Sequence, residues 1–184
     1  KFQKLFRVLT PLIKFRACRD VRKIAGDAME VRGGCGYIEE WSDARILRDS
    51  HLGSIWEGTS NIISLDTIRA LKKDNNIHVF KNFLTDTAKI NSIKKHEKYL
   101  LSLIEKVFNF IENEIKDDFT SSSRQITSSL YYLSSAIFLI EEGNYCQDLA
   151  YRSKISELIL KYKIDKSSPI TRDDIDYDLI KKLI

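Results

Sequence analysis

Residues 53–61 read GSIWEGTSN and set one carboxylate, Glu57, between an indole and a glycine. Ile55 and Trp56 precede it; Gly58, Thr59 and Ser60 follow. An acid placed for solubility needs no such setting, whereas an acid that takes a proton where water cannot compete does. Apolar flanks raise a carboxylate's pKa by desolvation, while a helix N-terminus just beyond favours the anion, so the two effects oppose each other here. Gly58 leaves room for another molecule to approach the backbone. The competing reading is a surface acid at a helix entry, favoured by the helix dipole.

The other reactive side chains are less promising. His51, His78 and His96 are scattered, with no second ligand at helical spacing, so no metal site is expected. Cys18, Cys35 and Cys146 are an odd number with wide spacing and no Cys-x-x-Cys, the usage of a reducing compartment; Cys146 reads as a small core residue. There is no Gly-x-Ser-x-Gly elbow. The GGCGY run at 33–37 lacks the Gly-x-Gly-x-x-Gly spacing and follows a helical pattern, so it is a turn rather than a dinucleotide loop.

The elements that must position these residues are helical. Seven Gly and two Pro in 184 residues argue against a turn-rich β fold. Leu9, Leu12, Ile13, Phe15, Val21, Ile24, Ala25, Ala28 and Val31 recur at helical spacing, with Thr10 as the expected N-cap and Pro11 in the first turn. Gly33-Gly34 ends that stripe. A short helix is expected over 41–49 with Ser42 as cap, then a loop over 50–58. A further helix follows, capped by Thr59 or Ser60 and burying Ile62, Leu65, Ile68 and Leu71. The polar KKDNN at 72–76 is the candidate boundary between a first domain, 1–74, and a helical extension, 75–184.

Helices are expected in the extension over 77–93, 96–116, 121–142, 145–163 and 173–183. The stripe of the second is Leu100, Ile104, Val107, Ile111 and Ile115; that of the third is Ile126, Leu130, Leu133, Ile137 and Ile140. The fourth carries Leu149, Ile155, Leu158, Ile159 and Tyr162, and the last follows Pro169 with Thr171 as cap. The fold class is all-α, a helical bundle with a helical extension.

Charge is uneven. Residues 1–32 hold nine Lys or Arg against Asp20, Asp27 and Glu30, leaving +6. From Lys72 onward 18 basic residues meet 17 acidic ones, leaving +1, which speaks against a nucleic-acid-binding tail. The run at 130–140 is far short of the ~20 apolar residues that span a membrane, and no signal peptide is readable; a cytoplasmic location is expected. The first residue is Lys1 and the only methionine is Met29, so the chain reads as a piece with something upstream.

Together, EVRGGCGYIEE and IWEGTSNI, with RILRD between them, are specific. From about Thr10 to Leu71 the sequence resembles the C-terminal helical domain of the acyl-CoA dehydrogenases. Its long tail, 127 of 184 residues after Glu57, resembles the AidB-like branch with an added helical region. The resemblance implies that Glu57 is the catalytic base taking the α-proton of an acyl-CoA while a β-hydride leaves to FAD. It implies that Gly33 and Gly34 meet the FAD of a neighbouring subunit and that Thr59, Asn61 and Trp56 also contact the cofactor. Trp56 and Gly58 would border the substrate. Glu30 stands where many members have a Gln at the adenosine-phosphate end, an awkward replacement near a pyrophosphate, and Cys35 replaces a common Asn. Arg48-Asp49 reads as a structural pair fixing the loop before Glu57. An electron-transfer flavoprotein, a homotetramer and an upstream or partner chain carrying the flavin β-domain are further implications. The chain alone should be colourless. Two alternatives stand: an alkylation-response flavoprotein that binds DNA, and a non-catalytic helical partner subunit.

Overall fold

The computed structural model describes residues 2–91, 94–116 and 120–165. Among them there is no strand, and eight α-helices follow in order: α1 (Phe2–Val31), α2 (Gly34–Tyr37), α3 (Asp43–Leu52), α4 (Ser60–Lys72), α5 (Asn76–Asn91), α6 (Lys94–Lys116), α7 (Ser123–Tyr145) and α8 (Leu149–Ile159). The chain is all-α, as its periodicity predicts. The helix expected over 173–183 lies outside the described residues.

Two compact units form. The first takes residues 1–80 and 110–131, the second residues 81–109 and 132–184. In the first, α1 packs against α3 and α4. Leu5, Val8, Leu12 and Phe15 of α1 are buried, as are Ile68, Ala70 and Leu71 of α4. In the second, Leu84, Leu100, Leu103, Leu133, Ile137 and Leu160 are buried, and the rings of Phe83 and Phe138 meet at 6.0 Å between centroids.

Several expectations are corrected. Helix α1 begins at Phe2, not at Thr10, and runs through Pro11. The Thr10 hydroxyl donates to the Phe6 carbonyl (2.7 Å) instead of capping. Burial of Leu5 and Val8 upstream carries the helix past a residue that lacks an N–H. Of the apolar residues that recur along α1, Ile13, Val21, Ile24 and Val31 are exposed. GGCGY contains one turn of helix, α2. Helix α3 starts one residue after Ser42 as expected but continues to Leu52, and the Ser42 side chain makes no cap bond.

On α4, Ile62 is exposed, and the small polar Ser64 and Thr67 join Ile68 and Leu71 inside. They fit because their hydroxyls are satisfied: Thr67 donates to the Ile63 carbonyl (3.2 Å), and Ser64 to the Asn61 carbonyl (2.9 Å). The α7 stripe is buried throughout, but α7 passes Gly143 to reach Tyr145. Cys146 therefore lies beyond it and is exposed, not in the core. On α8 the buried positions are Ser153 and Ser156, the latter donating to the Ala136 carbonyl (2.8 Å).

Candidate functional site

The loop carrying Glu57 is built from the end of α3. Backbone bonds from Ser54 to His51 (3.0 Å), Ile55 to Leu52 (2.9 Å) and Trp56 to Leu52 (3.1 Å) wind the chain tightly after the helix. Helix α1 fastens it. The Lys14 ammonium donates to the carbonyls of Gly53 (2.8 Å) and Trp56 (3.4 Å), and the Ser54 hydroxyl donates to the Cys18 carbonyl (2.8 Å). A side chain at Gly53 would press on the Cys18 Sγ at 3.2 Å, so glycine lets loop and helix meet.

Glu57 itself adopts φ +56°, and Gly58 φ +104°. A left-handed glutamate costs roughly 1–2 kcal/mol against the right-handed basin, so the surrounding bonds hold it there. Its carboxylate faces the Lys14 Nζ at 3.7 Å, and the side chain is 71% exposed. Ile55 and Trp56, expected to shelter it, are themselves 65% and 58% exposed. Within this chain they do not dry the carboxylate; they frame it with uncovered apolar surface.

Beyond Gly58 the chain enters α4. Thr59 holds the N-cap position with extended backbone and makes no side-chain cap bond, leaving its hydroxyl uncommitted to the helix. Its carbonyl accepts from the Ile63 N–H (3.0 Å). Asn61, in the first turn, accepts at Oδ1 from the Arg124 Nε (2.5 Å). Beside it the hydroxyls of Ser64 and Ser123 lie 3.1 Å apart and buried, tying α4 to the start of α7.

The second motif forms a separate bend. Gly33 takes φ +61°, its N–H bonds the Glu30 carbonyl (2.9 Å), and its carbonyl receives the Gly36 N–H (3.0 Å). A Cβ at Gly33 or Gly34 would meet nothing within 4 Å, so this backbone is open to an approaching group. Glu30 is exposed beside it. The Arg32 side chain bridges to Asp43 (Nε to Oδ2, 3.0 Å) and lies over the Trp41 ring at 5.1 Å, fixing α1 to the entry of α3.

Arg48 and Asp49 do not pair. Adjacent helical residues point in different directions. Arg48 binds Glu39 through two bonds (2.6 and 3.2 Å), and Asp49 faces Arg45 at 3.5 Å. The Arg48 hydrogen bonds hold the Glu39 carboxyl below its usual range. The loop before Glu57 is instead held by Lys14. Lys14 and Arg124 are the two residues that motif reading missed, since they stand 42 and 63 positions from their partners Trp56 and Asn61.

The groups that could hold an FAD by their chemistry are the bare backbone at Gly33-Gly34, the exposed indole of Trp56, the Thr59 hydroxyl that makes no cap bond and the Asn61 amide. The Glu30 carboxylate does not suit a pyrophosphate. Among the described residues no His, Cys, Asp and Glu cluster could hold a metal ion, and no helix is long and apolar enough to cross a membrane.

The acyl-CoA dehydrogenase C-terminal-domain model matches residues 2–72. The chain is 30% identical over 127 residues to the putative acyl-CoA dehydrogenase AidB of Escherichia coli K12, covering 69% of this chain and 22% of that protein. It is 27% identical over 154 residues to acyl-CoA dehydrogenase family member 11 of Caenorhabditis elegans, covering 76% and 25%. The crystal structure of C. elegans ACDH-11 in complex with C11-CoA superimposes with a TM-score of 0.72 at 23% identity, over 89% of this chain and 29% of that one, a likeness of fold. The chain thus spans about a quarter of the length of these relatives.

Proposed function

Because residues 2–72 belong to the C-terminal domain of the acyl-CoA dehydrogenase family, we propose that the chain supplies the base and part of the cofactor contacts of an FAD-dependent acyl-CoA dehydrogenase. The observation that carries this reading is the loop itself. A carboxylate is held in left-handed backbone, fastened by Lys14, and ringed by exposed Ile55 and Trp56. An exposed apolar frame around a positioned acid suits a site completed by further protein and ligand, which would remove the water that this chain leaves around Glu57.

Within that site Glu57 takes the α-proton of an acyl-CoA thioester. Its own N–H, beside the left-handed turn, is the donor offered to the thioester oxygen as negative charge develops there. The Lys14 ammonium stands 3.7 Å from that carboxylate and bonds the loop that carries it. Trp56 lies against the substrate and cofactor, and Gly58 keeps the backbone open. Thr59, Asn61, Gly33 and Gly34 are the FAD contacts of this chain, with Glu30 the one member whose charge opposes a phosphate. FAD, when bound, supplies the acceptor for the β-hydride. An electron-transfer flavoprotein as reoxidant, a homotetramer and a flavin β-domain carried upstream or by a partner chain complete the proposal. In it residues 75–184 are the branch's helical extension.

The test is Glu57→Gln in the assembled flavoprotein that contains this chain. The isosteric amide keeps shape and backbone but cannot take a proton, so dehydrogenation of the best acyl-CoA from a chain-length panel should drop about 10²–10⁴-fold. FAD content should stay unchanged. A variant as fast as the wild type, or a wild type inert to every acyl-CoA, rejects the reading.

A further inference from the structure

A recess in the first unit lies on the side of α4 that meets the start of α7. Its volume is about 550 Å³, and Asn61, Leu65, Ser121, Ser123 and Arg124 line it. Among these described residues, four side chains are polar and none is acidic. The Arg124 Nε is spent on the Asn61 Oδ1 at 2.5 Å. That bond turns the Asn61 amide so that its NH₂ group is the free end, and it leaves the two terminal nitrogens of the guanidinium for another acceptor.

The surroundings add positive charge. Arg19 on α1 is close enough to Arg124 for their charges to interact. Its guanidinium lies over the Phe15 ring at 5.4 Å; burial first, then repulsion from Arg124, Arg16 and Arg22, against the attraction of Asp20, pushes it down from the ordinary arginine value. Arg16 is paired with Asp20, but the Arg22 Nε is buried without a hydrogen-bond partner. Like charges gathered in partly desolvated surroundings repel one another, and an anion placed among them removes that cost. Planar guanidinium forks, an amide NH₂ and a serine hydroxyl together match a tetrahedral oxyanion with several acceptor oxygens better than a single carboxylate.

We infer that this recess, between Asn61 and Arg124 with Arg19 supplying further charge, is a binding site for a phosphate or pyrophosphate group. Its natural bearer would be a nucleotide-containing molecule of the size the recess admits. The inference rests on the dehydrogenase reading only for that bearer, because FAD and CoA both carry a pyrophosphate. The donors themselves belong to this chain. Arg124 lies beyond the residues that match the family domain, so the extension contributes to the site.

Inorganic pyrophosphate is the probe, titrated into chain 1–184 at low ionic strength. Heat is read by calorimetry, and NMR follows the Arg Nε–H and Asn side-chain NH₂ resonances. Saturable binding that moves the Asn61 and Arg124 signals is expected, with affinity about tenfold or more lower in Arg124→Gln and in Arg19→Gln. Lys98→Gln, which removes the same charge from an exposed site on α6, should bind as the wild type does. Helical content and melting temperature identify any variant that fails to fold, and Arg124→Lys then replaces Arg124→Gln: it keeps the charge, loses the fork and should fall between. Displacement of the pyrophosphate by FAD identifies the cofactor as bearer and displacement by CoA the substrate; either upholds the site. No saturable binding, unmoved Asn61 and Arg124 signals, or an equal loss in Lys98→Gln overturns it. None of these outcomes depends on whether Glu57 acts as a base.

Discussion

Gly36→Ala should destabilise the chain through one identifiable collision. Gly36 is buried in α2, and a Cβ built there would run into the Met29 carbonyl oxygen, stand 3.0 Å from the carbonyl carbon and 3.2 Å from the Arg32 Cβ. The obstacle is main chain in the last turns of α1, which cannot rotate aside, so α2 must shift. Overpacking of this kind costs about 1–3 kcal/mol, or roughly 3–10 °C of melting temperature for a chain of this size. The two neighbouring glycines calibrate the effect. Gly33 has open space but φ +61°, so alanine should cost about 1 kcal/mol. Gly34 has open space and no positive φ, so alanine should be neutral or stabilise by up to about 1 kcal/mol. Thermal melts followed by far-ultraviolet circular dichroism should order the variants Gly34→Ala, Gly33→Ala, Gly36→Ala from most to least stable. A Gly36→Ala chain that melts with the wild type, or a Gly34→Ala chain that loses as much, would refute the steric reasoning. If the bend meets FAD, Gly34→Ala should weaken flavin binding in the assembled enzyme while leaving the melt untouched.

Other tests are independent of that bend. Lys14→Met removes the ammonium from the Gly53 and Trp56 carbonyls and should cost about 1–2 kcal/mol, with faster hydrogen exchange confined to residues 53–57. Asp66 receives two hydrogen bonds from Arg7 (2.7 and 2.6 Å), which, against some opposing burial, hold its carboxyl below the ordinary 3.8. Its folded pKa is depressed, so its stabilisation is fully present above that unfolded value and is lost as pH falls through the lower folded one. Acid melts of Asp66→Asn should lack that share of the decline, and because both partners are partly exposed, added salt should shrink the difference. Leu133→Ala empties a fully buried position on α7 and should cost about 2–5 kcal/mol by denaturant titration. Chain 1–184 purified alone should be colourless; a yellow preparation would show that it holds flavin by itself.

How much of this was legible in the sequence depends on where each residue's partner lies. Leu100, Ile104, Val107 and Ile111 on α6, and Ile126 to Ile140 on α7, were readable because their helical stripes are buried in this chain. On α1 the spacing marks the helix but not its covered side: Ile13, Val21, Ile24 and Val31 are exposed. A helix of 30 residues with apolar residues on more than one side does not disclose which side its own chain covers. Ser64 and Thr67 were missed because their burial depends on hydroxyl bonds, one of them to Ser123. The Glu57 motif was visible as adjacent residues. Its supports, Lys14 and Arg124, carry no local signature, since a lone basic residue on a helix looks like any solvated charge until the fold brings a carbonyl or an amide to it.

The left-handed pair at 57 and 58 has a consequence for laboratory evolution. Glycine or asparagine occupies positive φ at far less cost than glutamate, so either at position 57 should raise the melting temperature, by the equivalent of about 1 kcal/mol. A screen that rewards heat resistance alone would therefore drift toward discarding the one carboxylate in this loop. Only a selection that also demands turnover should retain it.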